Sequence, residues 1–371
     1  MAASATAMHW LDRRVAAVLS AILVGTAGAI PAAAHAADES MSAILYREYG
    51  TADVLRLEQV ARPVADEDRV VIKVRAAGAN PLDWHYMRGT PYLMRIESGF
   101  SEPKSPRLGV DVAGEVVAVG PAVTRFEVGD EVFGAADGAF AQYARAREKN
   151  LALKPPGVSY EQAAGVAVAA LTALQGLRDK GGLQAGQRVL INGASGGVGT
   201  FAVQVAKAFG AHVTGVCSTR NVELVRSIGA DQVFDYKKED FVESGQKFDL
   251  ILDNVGNRDL SDLKRVMTPD GVAVLIGGGG PDAGNWVGPL GRPAKALLYS
   301  PFVGQSFEPF LATINAEDLA IVADMMAQGK VQTVIDRTYS LREVPEAIRY
   351  LETGRARGKV IITVNGDDPS D

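Results

Sequence analysis

One turn constrains this chain more than any other stretch. Ala194-Ser195-Gly196-Gly197-Val198-Gly199 lies between an apolar strand, Val189-Leu190-Ile191, and a helical stretch running from Gly197 to Phe209. A glycine run of this kind is weak evidence alone and strong evidence in that setting, where it predicts a dinucleotide site. Gly196 lets the backbone approach a pyrophosphate, and Gly199 lets the helix lie close against the sheet. The helix start adds free N–H groups and the positive end of its dipole. Ala194 stands where the first glycine is usual, with Gly193 just before it. The competing reading is a glycine-rich strand–helix turn that holds no ligand.

The surrounding pattern agrees with that setting. Short apolar stretches from Arg188 to Ile191, His212 to Val216, Gln232 to Phe234, Phe248 to Leu252 and Val272 to Ile276 read as strands. Helical stretches separate the first of them, which predicts a parallel sheet covered on both faces. Before Pro155-Pro156-Gly157 the chain is instead β-rich. Strand candidates such as Val70 to Val74 and Val116 to Val119 are punctuated by glycines at turn spacing, as in a compact barrel-like domain. Beyond a Gly- and Pro-rich loop from Gly277 to Pro293 come a helix from Glu317 to Gln328 and a β-like tail, Gly358 to Val364.

Composition narrows the function. With 38 Lys+Arg against 44 Asp+Glu the net charge is −6, and no basic cluster is present for nucleic acid. One cysteine, Cys217, excludes an intramolecular disulfide and a Cys-rich zinc site. An acid at the end of the second strand would bind a ribose 2′-hydroxyl and repel a 2′-phosphate. That strand ends Val216-Cys217-Ser218-Thr219-Arg220, with no acid. Ser218 and Arg220 therefore favour NADPH over NADH, a guanidinium being suited to a phosphate dianion. A solvated Arg220 is the alternative.

With these residues in view, the chain from about Met41 to Val364 resembles the medium-chain dehydrogenase/reductase superfamily. The similar branch is the zinc-independent one of quinone oxidoreductases, ζ-crystallin and the mitochondrial reticulon-interacting oxidoreductases. The resemblance rests on Asn80-Pro81-Leu82-Asp83-Trp84, Gly109-Val110-Asp111-Val112-Ala113-Gly114-Glu115-Val116, Val128 to Gly134, the glycine turn, Gly229-Ala230-Asp231 and Gly358-Lys359-Val360. It implies an α/β fold: a GroES-like β-rich catalytic domain (41–157 and 315–371) plus a Rossmann doubly wound parallel sheet domain (158–314), with the cofactor between them. It also implies that Thr172, Asn254, Val255 and Gly277 lie beside the nicotinamide, that Tyr236 contacts the 2′-phosphate, and that Lys359 lies near the cofactor. A Tyr236 merely packed at a strand end remains open.

Zinc members of the superfamily carry Cys at the position of Asn80, His at Val110 and Cys near Val168. None of those residue types is present here, and an amide and two valines cannot hold Zn²⁺. Without a Lewis acid, oxidation of an unactivated alcohol loses its usual alkoxide stabilisation. Hydride transfer to an acceptor that is already electrophilic, a quinone or an α,β-unsaturated carbonyl, needs only positioning and an oxygen-directed donor. Asn80 is expected as donor or orienter, His85 as a proton relay, and Tyr86 as its substitute. A structural His85 is the bland alternative, and Asp83 is read as a support. The rival functions are a non-catalytic NADPH-binding sensor or structural protein and an alcohol or carbonyl dehydrogenase. The family also implies a homodimer, through the sheet edge near Phe307 to Leu311.

The first forty residues differ from the rest. Arg13-Arg14 precede a mildly apolar run of 16 residues, Val15 to Ile30, shorter than the roughly 20 that span a bilayer. Ala34-His35-Ala36 is a small-x-small cleavage pattern. Residues 1–37 thus read as a secretory signal peptide, with a twin-arginine route allowed, that leaves an exported or periplasmic chain without a membrane anchor. The alternative is a cytoplasmic protein that starts at Met41.

Overall fold

A computed structural model of the chain describes residues 40–277, 292, 295–296 and 304–364. The expected leader and almost all of the loop expected from Gly277 to Pro293 lie outside the described residues, as does most of the pocket segment from Gly278 to Phe302.

The chain opens with an antiparallel pair, β1 (Ser40–Leu45) and β2 (Arg56–Ala61). A seven-stranded sheet follows from β3 (Arg69–Ala79), β4 (Asp111–Val119), β5 (Glu131–Ala135), β6 (Tyr143–Arg147) and β7 (Leu151–Leu153). Its order is β14-β15-β3-β4-β5-β7, with β6 paired to β3. The two strands at its far edge, β14 (Ile335–Ser340) and β15 (Lys359–Thr363), come from the chain's end. The β-rich first part is thus completed by the tail, and β15 pairs antiparallel with β3 so that Val360 faces Ala79.

Between these strands runs a six-stranded parallel sheet of β8 (Arg188–Asn192), β9 (His212–Cys217), β10 (Gln232–Asp235), β11 (Phe248–Asp253), β12 (Met267–Leu275) and β13 (Ser306–Pro309). Its order is β10-β9-β8-β11-β12-β13. The central strands are mostly apolar because both faces are covered, by Phe201, Val203 and Leu174 on one side and Phe241, Leu263 and Val266 on the other. The chain order reverses direction at β8, between β9 and β11. The crevice beyond the strand C-termini at such a reversal is where ligands of open α/β sheets bind.

One apolar cluster joins the two sheets. It contains Ala113 and Phe133 of the first, Leu171 and Leu174 of the helix Ala167–Gln175, and Leu319 and Val322 of the helix Ala316–Ala327. The joint is therefore built from buried hydrocarbon, at about 25 cal/mol per Å² removed from water. No helix among the described residues is long and apolar enough to cross a membrane.

Candidate functional site

The glycine turn adopts the strand–turn–helix geometry that its sequence predicts. Gly196 is the N-cap of the helix Gly197–Ala208 and gives it no side-chain cap. The first-turn N–H groups thus lack a protein side-chain partner and suit an anion. A Cβ at Gly196 would meet only the Gly193 carbonyl, at 3.5 Å, so space lies in front of the backbone. A Cβ at Gly199 would lie 2.1 Å from that same carbonyl, which is why the helix needs glycine there. The tight turn itself falls on Gly193, at φ +81, whose N–H and that of Ala194 both donate to the Val216 carbonyl. The residue just outside the motif does the work of its missing first glycine. Ser195 and Val198 continue the turn.

The second strand brings the expected ribose-side residues together. Tyr236 donates its N–H to the Cys217 carbonyl, so it stands beside Ser218 at the ends of two paired strands. Asn221, absent from the sequence expectation, is buried and donates from Nδ2 to Ser195 Oγ (2.8 Å) and Ser218 Oγ (3.3 Å). Its Oδ1 is buried with no partner among the described residues. Arg220 donates to the Arg355 carbonyl at 2.6 Å, which adds Arg355 of the tail to this rim. An amide oxygen, two serines and the Arg220 guanidinium are groups that suit a ribose and its phosphate.

On the other side of the reversal, Asp253 is buried, and its Oδ1 receives the Val255 and Gly256 N–H groups and Asn192 Nδ2. Asn254 donates to the Asn192 carbonyl, and its Oδ1 is another buried oxygen with no partner among the described residues. Gly277 closes over Asn254, whose carbonyl a Cβ there would approach to 2.2 Å. Asn254 and Val255 thus follow the end of β11, and Gly277 that of its neighbour β12.

The floor of the crevice comes from the seven-stranded sheet. After β3 the helix Pro81–Arg88 begins with proline in its first turn, and Asp83 Oδ2 accepts the Asn80 N–H at 2.7 Å. Asp83 Oδ1 accepts the Gly109 N–H at 3.2 Å, so Asp83 supports the helix from below. Burial pushes its carboxyl up to about 7, helped by the nearby charge of Asp111, against those two backbone donors and Lys359. The helix stops at Gly89 in the left-handed region. His85 Nδ1 lies 2.8 Å from the Thr90 carbonyl and the ring stacks on Trp84. A carbonyl only accepts, so Nδ1 carries the proton and Nε2 of the neutral ring keeps its lone pair. Burial lowers the His85 pKa, opposed by the Thr90 contact, and burial raises that of Tyr86, with Glu97 adding to it. Side by side on one helix, His85 is thus biased toward a bare nitrogen and Tyr86 toward an intact hydroxyl.

Asn80 and Lys359 are joined by a contact that the sequence did not suggest. Lys359 Nζ donates to Asn80 Oδ1 at 2.5 Å and to Asp111 Oδ2 at 3.1 Å. These three residues are 3 % or less exposed, so this ion pair is held out of water. Asp111 Oδ1 accepts the Val168 N–H, and Thr172 Oγ1 donates to the Val168 carbonyl at 2.6 Å. Gly78 makes the room: a Cβ there would lie 2.4 Å from the Ala164 carbonyl and 3.0 Å from Asp111. Next to Lys359, Gly358 donates its N–H to the Ser195 carbonyl and bridges Gly196. Lys359 therefore starts at the glycine turn and ends on Asn80. Asp111 carried no weight of its own in the sequence, although it lies inside a quoted motif.

These residues do not fit a zinc ion. Asn80 offers an amide whose oxygen already faces an ammonium, Val110 is apolar, and Val168 contributes a backbone N–H. No group of three or more His, Cys, Asp or Glu able to hold a metal occurs among the described residues.

Residues 66–156 match a family model described as an alcohol dehydrogenase GroES-like domain, and 228–362 match one described as a zinc-binding dehydrogenase. The chain is 38% identical over 340 residues to the 2-methylene-furan-3-one reductase of Solanum lycopersicum, covering 87% of this chain and 79% of that one. It is 34% identical to the chloroplastic quinone-oxidoreductase homolog of Spinacia oleracea, over 87% of this chain and 98% of that protein. Among solved structures, the quinone oxidoreductase from Coxiella burnetii superposes with a TM-score of 0.76 at 28% identity, over 88% of this chain and all of the other.

Proposed function

Since the chain belongs to the medium-chain dehydrogenase/reductase superfamily, on its quinone oxidoreductase-like side, we propose that it reduces quinones or α,β-unsaturated carbonyls with NADPH and without zinc. The supporting observation is an uncapped glycine-turn helix that Gly358 and Lys359 tie to Asn80, at the start of the helix that carries His85 and Tyr86. Bound NADPH supplies two electrons as hydride. The first-turn N–H groups of Gly197 and Val198 would hold its pyrophosphate, Thr172, Asn254, Val255 and Gly277 its nicotinamide end, and Ser218, Arg220 and Tyr236 its 2′-phosphate. Hydride addition to the β-carbon of an enone leaves negative charge on the carbonyl oxygen, and one proton completes the saturated ketone. Asn80 would donate to that oxygen. Tyr86 holds a proton at neutral pH, and His85 Nε2 accepts one from solvent for delivery.

A steady-state panel of quinones and enones with NADPH and with NADH tests this. NADPH oxidation with at least one acceptor class is expected, and more slowly with NADH. Tight NADPH binding without turnover on any acceptor overturns the reading in favour of a sensor. Activity that chelators abolish and Zn²⁺ restores overturns it in favour of an alcohol dehydrogenase.

We also infer a cleaved leader over residues 1–37. The side chain of Met41 is fully buried in β1, paired with Val60, which suits an interior residue better than a charged chain start. N-terminal sequencing of the protein from cell fractions tests this, and an intact residue 1 in the cytosol overturns it. A homodimer is proposed through the open edge of β13, two residues before the exposed Leu311. Light scattering that gives a monomer mass overturns that.

A further inference from the structure

We propose that Lys359 is a positioning residue: its buried ammonium polarises and orients Asn80, supplying through an amide the positive charge that zinc members of the superfamily place at this point. The inference rests on the reductase reading above. An ammonium only donates, so the Asn80 oxygen must face Lys359 and its nitrogen must face away. One N–H of that nitrogen goes to the Gly78 carbonyl at 3.2 Å. The other has no partner among the described residues. Donation from a full positive charge into the amide oxygen draws electron density from the nitrogen and makes the remaining N–H a stronger donor, as linked hydrogen bonds reinforce one another in a low-dielectric site. Asp111 holds the ammonium in place and is itself fixed by the Val168 N–H, one of the three zinc-ligand positions. Two of those positions, Asn80 and Val168, thus bond to one lysine–aspartate pair, and the third, Val110, precedes Asp111 in the chain.

Three features argue that the pair does more than join two halves. Its charges are wholly buried, and a buried ion pair is a poor source of stability compared with well-packed apolar residues. Its lysine ends on a side chain at the crevice floor. Its hydrogen-bond chain continues from Val168 to Thr172, beside the expected nicotinamide. Two of the three Nζ donors of Lys359 go to Asn80 and Asp111.

The test compares the wild type with Lys359→Met/Asp111→Asn, which removes both charges together, and with Asn80→Ala, which leaves the pair intact. Thermal unfolding, NADPH affinity by nicotinamide fluorescence, and kcat and KM for one naphthoquinone and one enone are read for each. The expected result is a folded double variant with NADPH affinity and acceptor KM unchanged within a factor of about three, and kcat down by about 10²-fold, the usual effect of losing an oxyanion donor. Asn80→Ala should show the same kcat loss with its unfolding temperature little changed. Turnover near wild type in either variant overturns the proposal. So does a loss of NADPH affinity that accounts for the loss of rate, which would make Lys359 a coenzyme ligand. If the double variant fails to fold, Asn80→Ala alone decides, because a silent Asn80 leaves Lys359 nothing to act through. A wild type that turns over no acceptor removes the reductase reading and this inference with it, whereas an active wild type with active variants removes only the inference.

Discussion

The two walls of the crevice are built from different materials. The glycine turn is made of backbone: its N–H groups, its one left-handed glycine and the absence of side chains do all the work over a few consecutive residues. The floor is made of side chains, and its central contacts span 279 positions from Asn80 to Lys359 and 248 from Asp111 to Lys359. A backbone site tolerates change wherever no Cβ intrudes. A buried ion pair fails when either charge is removed, because the remaining charge has no water to turn to.

Substitutions on each wall should separate these behaviours. The largest effect belongs to the floor: Asp111→Ala leaves the Lys359 ammonium buried without a counter-charge, and should cost about 3–5 kcal/mol in urea unfolding. A cost under about 1 kcal/mol would mean that water reaches the pair. Next is the coenzyme wall at its ribose end. Arg220→Ala should weaken NADPH binding by about 1.5–3 kcal/mol, the worth of a hydrogen bond to a charged group, and leave NADH alone. Equal losses for both coenzymes in a calorimetric titration would remove the 2′-phosphate assignment. Gly199→Ala comes third. Its Cβ meets backbone at 2.1 Å, an overpacking that should cost about 1–3 kcal/mol and lower NADPH affinity with it. An unchanged unfolding temperature would show that the turn can shift.

The smallest effect concerns pH. Burial lowers the His85 pKa in the folded chain. A histidine of that kind adds stability above its unfolded value of about 6.5, and this is lost as pH falls through the lower folded value. His85→Gln should therefore narrow the gap in unfolding temperature between about pH 7.5 and about pH 5. Asp83 works in the opposite direction, since a carboxyl raised to about 7 binds its proton more readily when folded, so its contribution grows as pH falls from there toward about 4. A gap that widens in His85→Gln would mean that the imidazole is charged in the fold.

Local chemistry made much of this legible in the sequence. The apolar strands around the glycine turn, the serine and arginine after β9, and the proline-led helix bearing His85 and Tyr86 each depend on neighbours within a few residues. The strand limits were less legible. β3 extends to Ala79 and β4 begins at Asp111, because each pairs beyond its most apolar core, and such pairing leaves no mark in one strand alone. Asn221 escaped notice for a related reason: its two serine partners are 26 and 3 positions away, and only the close of β9 onto the turn makes them a set.

The sequence by itself determined that a helix would start at Gly197 with bare N–H groups, and that Asn80, Val110 and Val168 lack the atoms a zinc ion needs. The first follows from residue type and short-range spacing, the second from residue type at positions that the resemblance to the superfamily marks. Only the tertiary structure decided that the tail returns to lie beside β3, so that Lys359 meets Asn80 and Asp111. The orientation of a buried amide depends on which charge faces it, and that charge arrives from the far end of the chain.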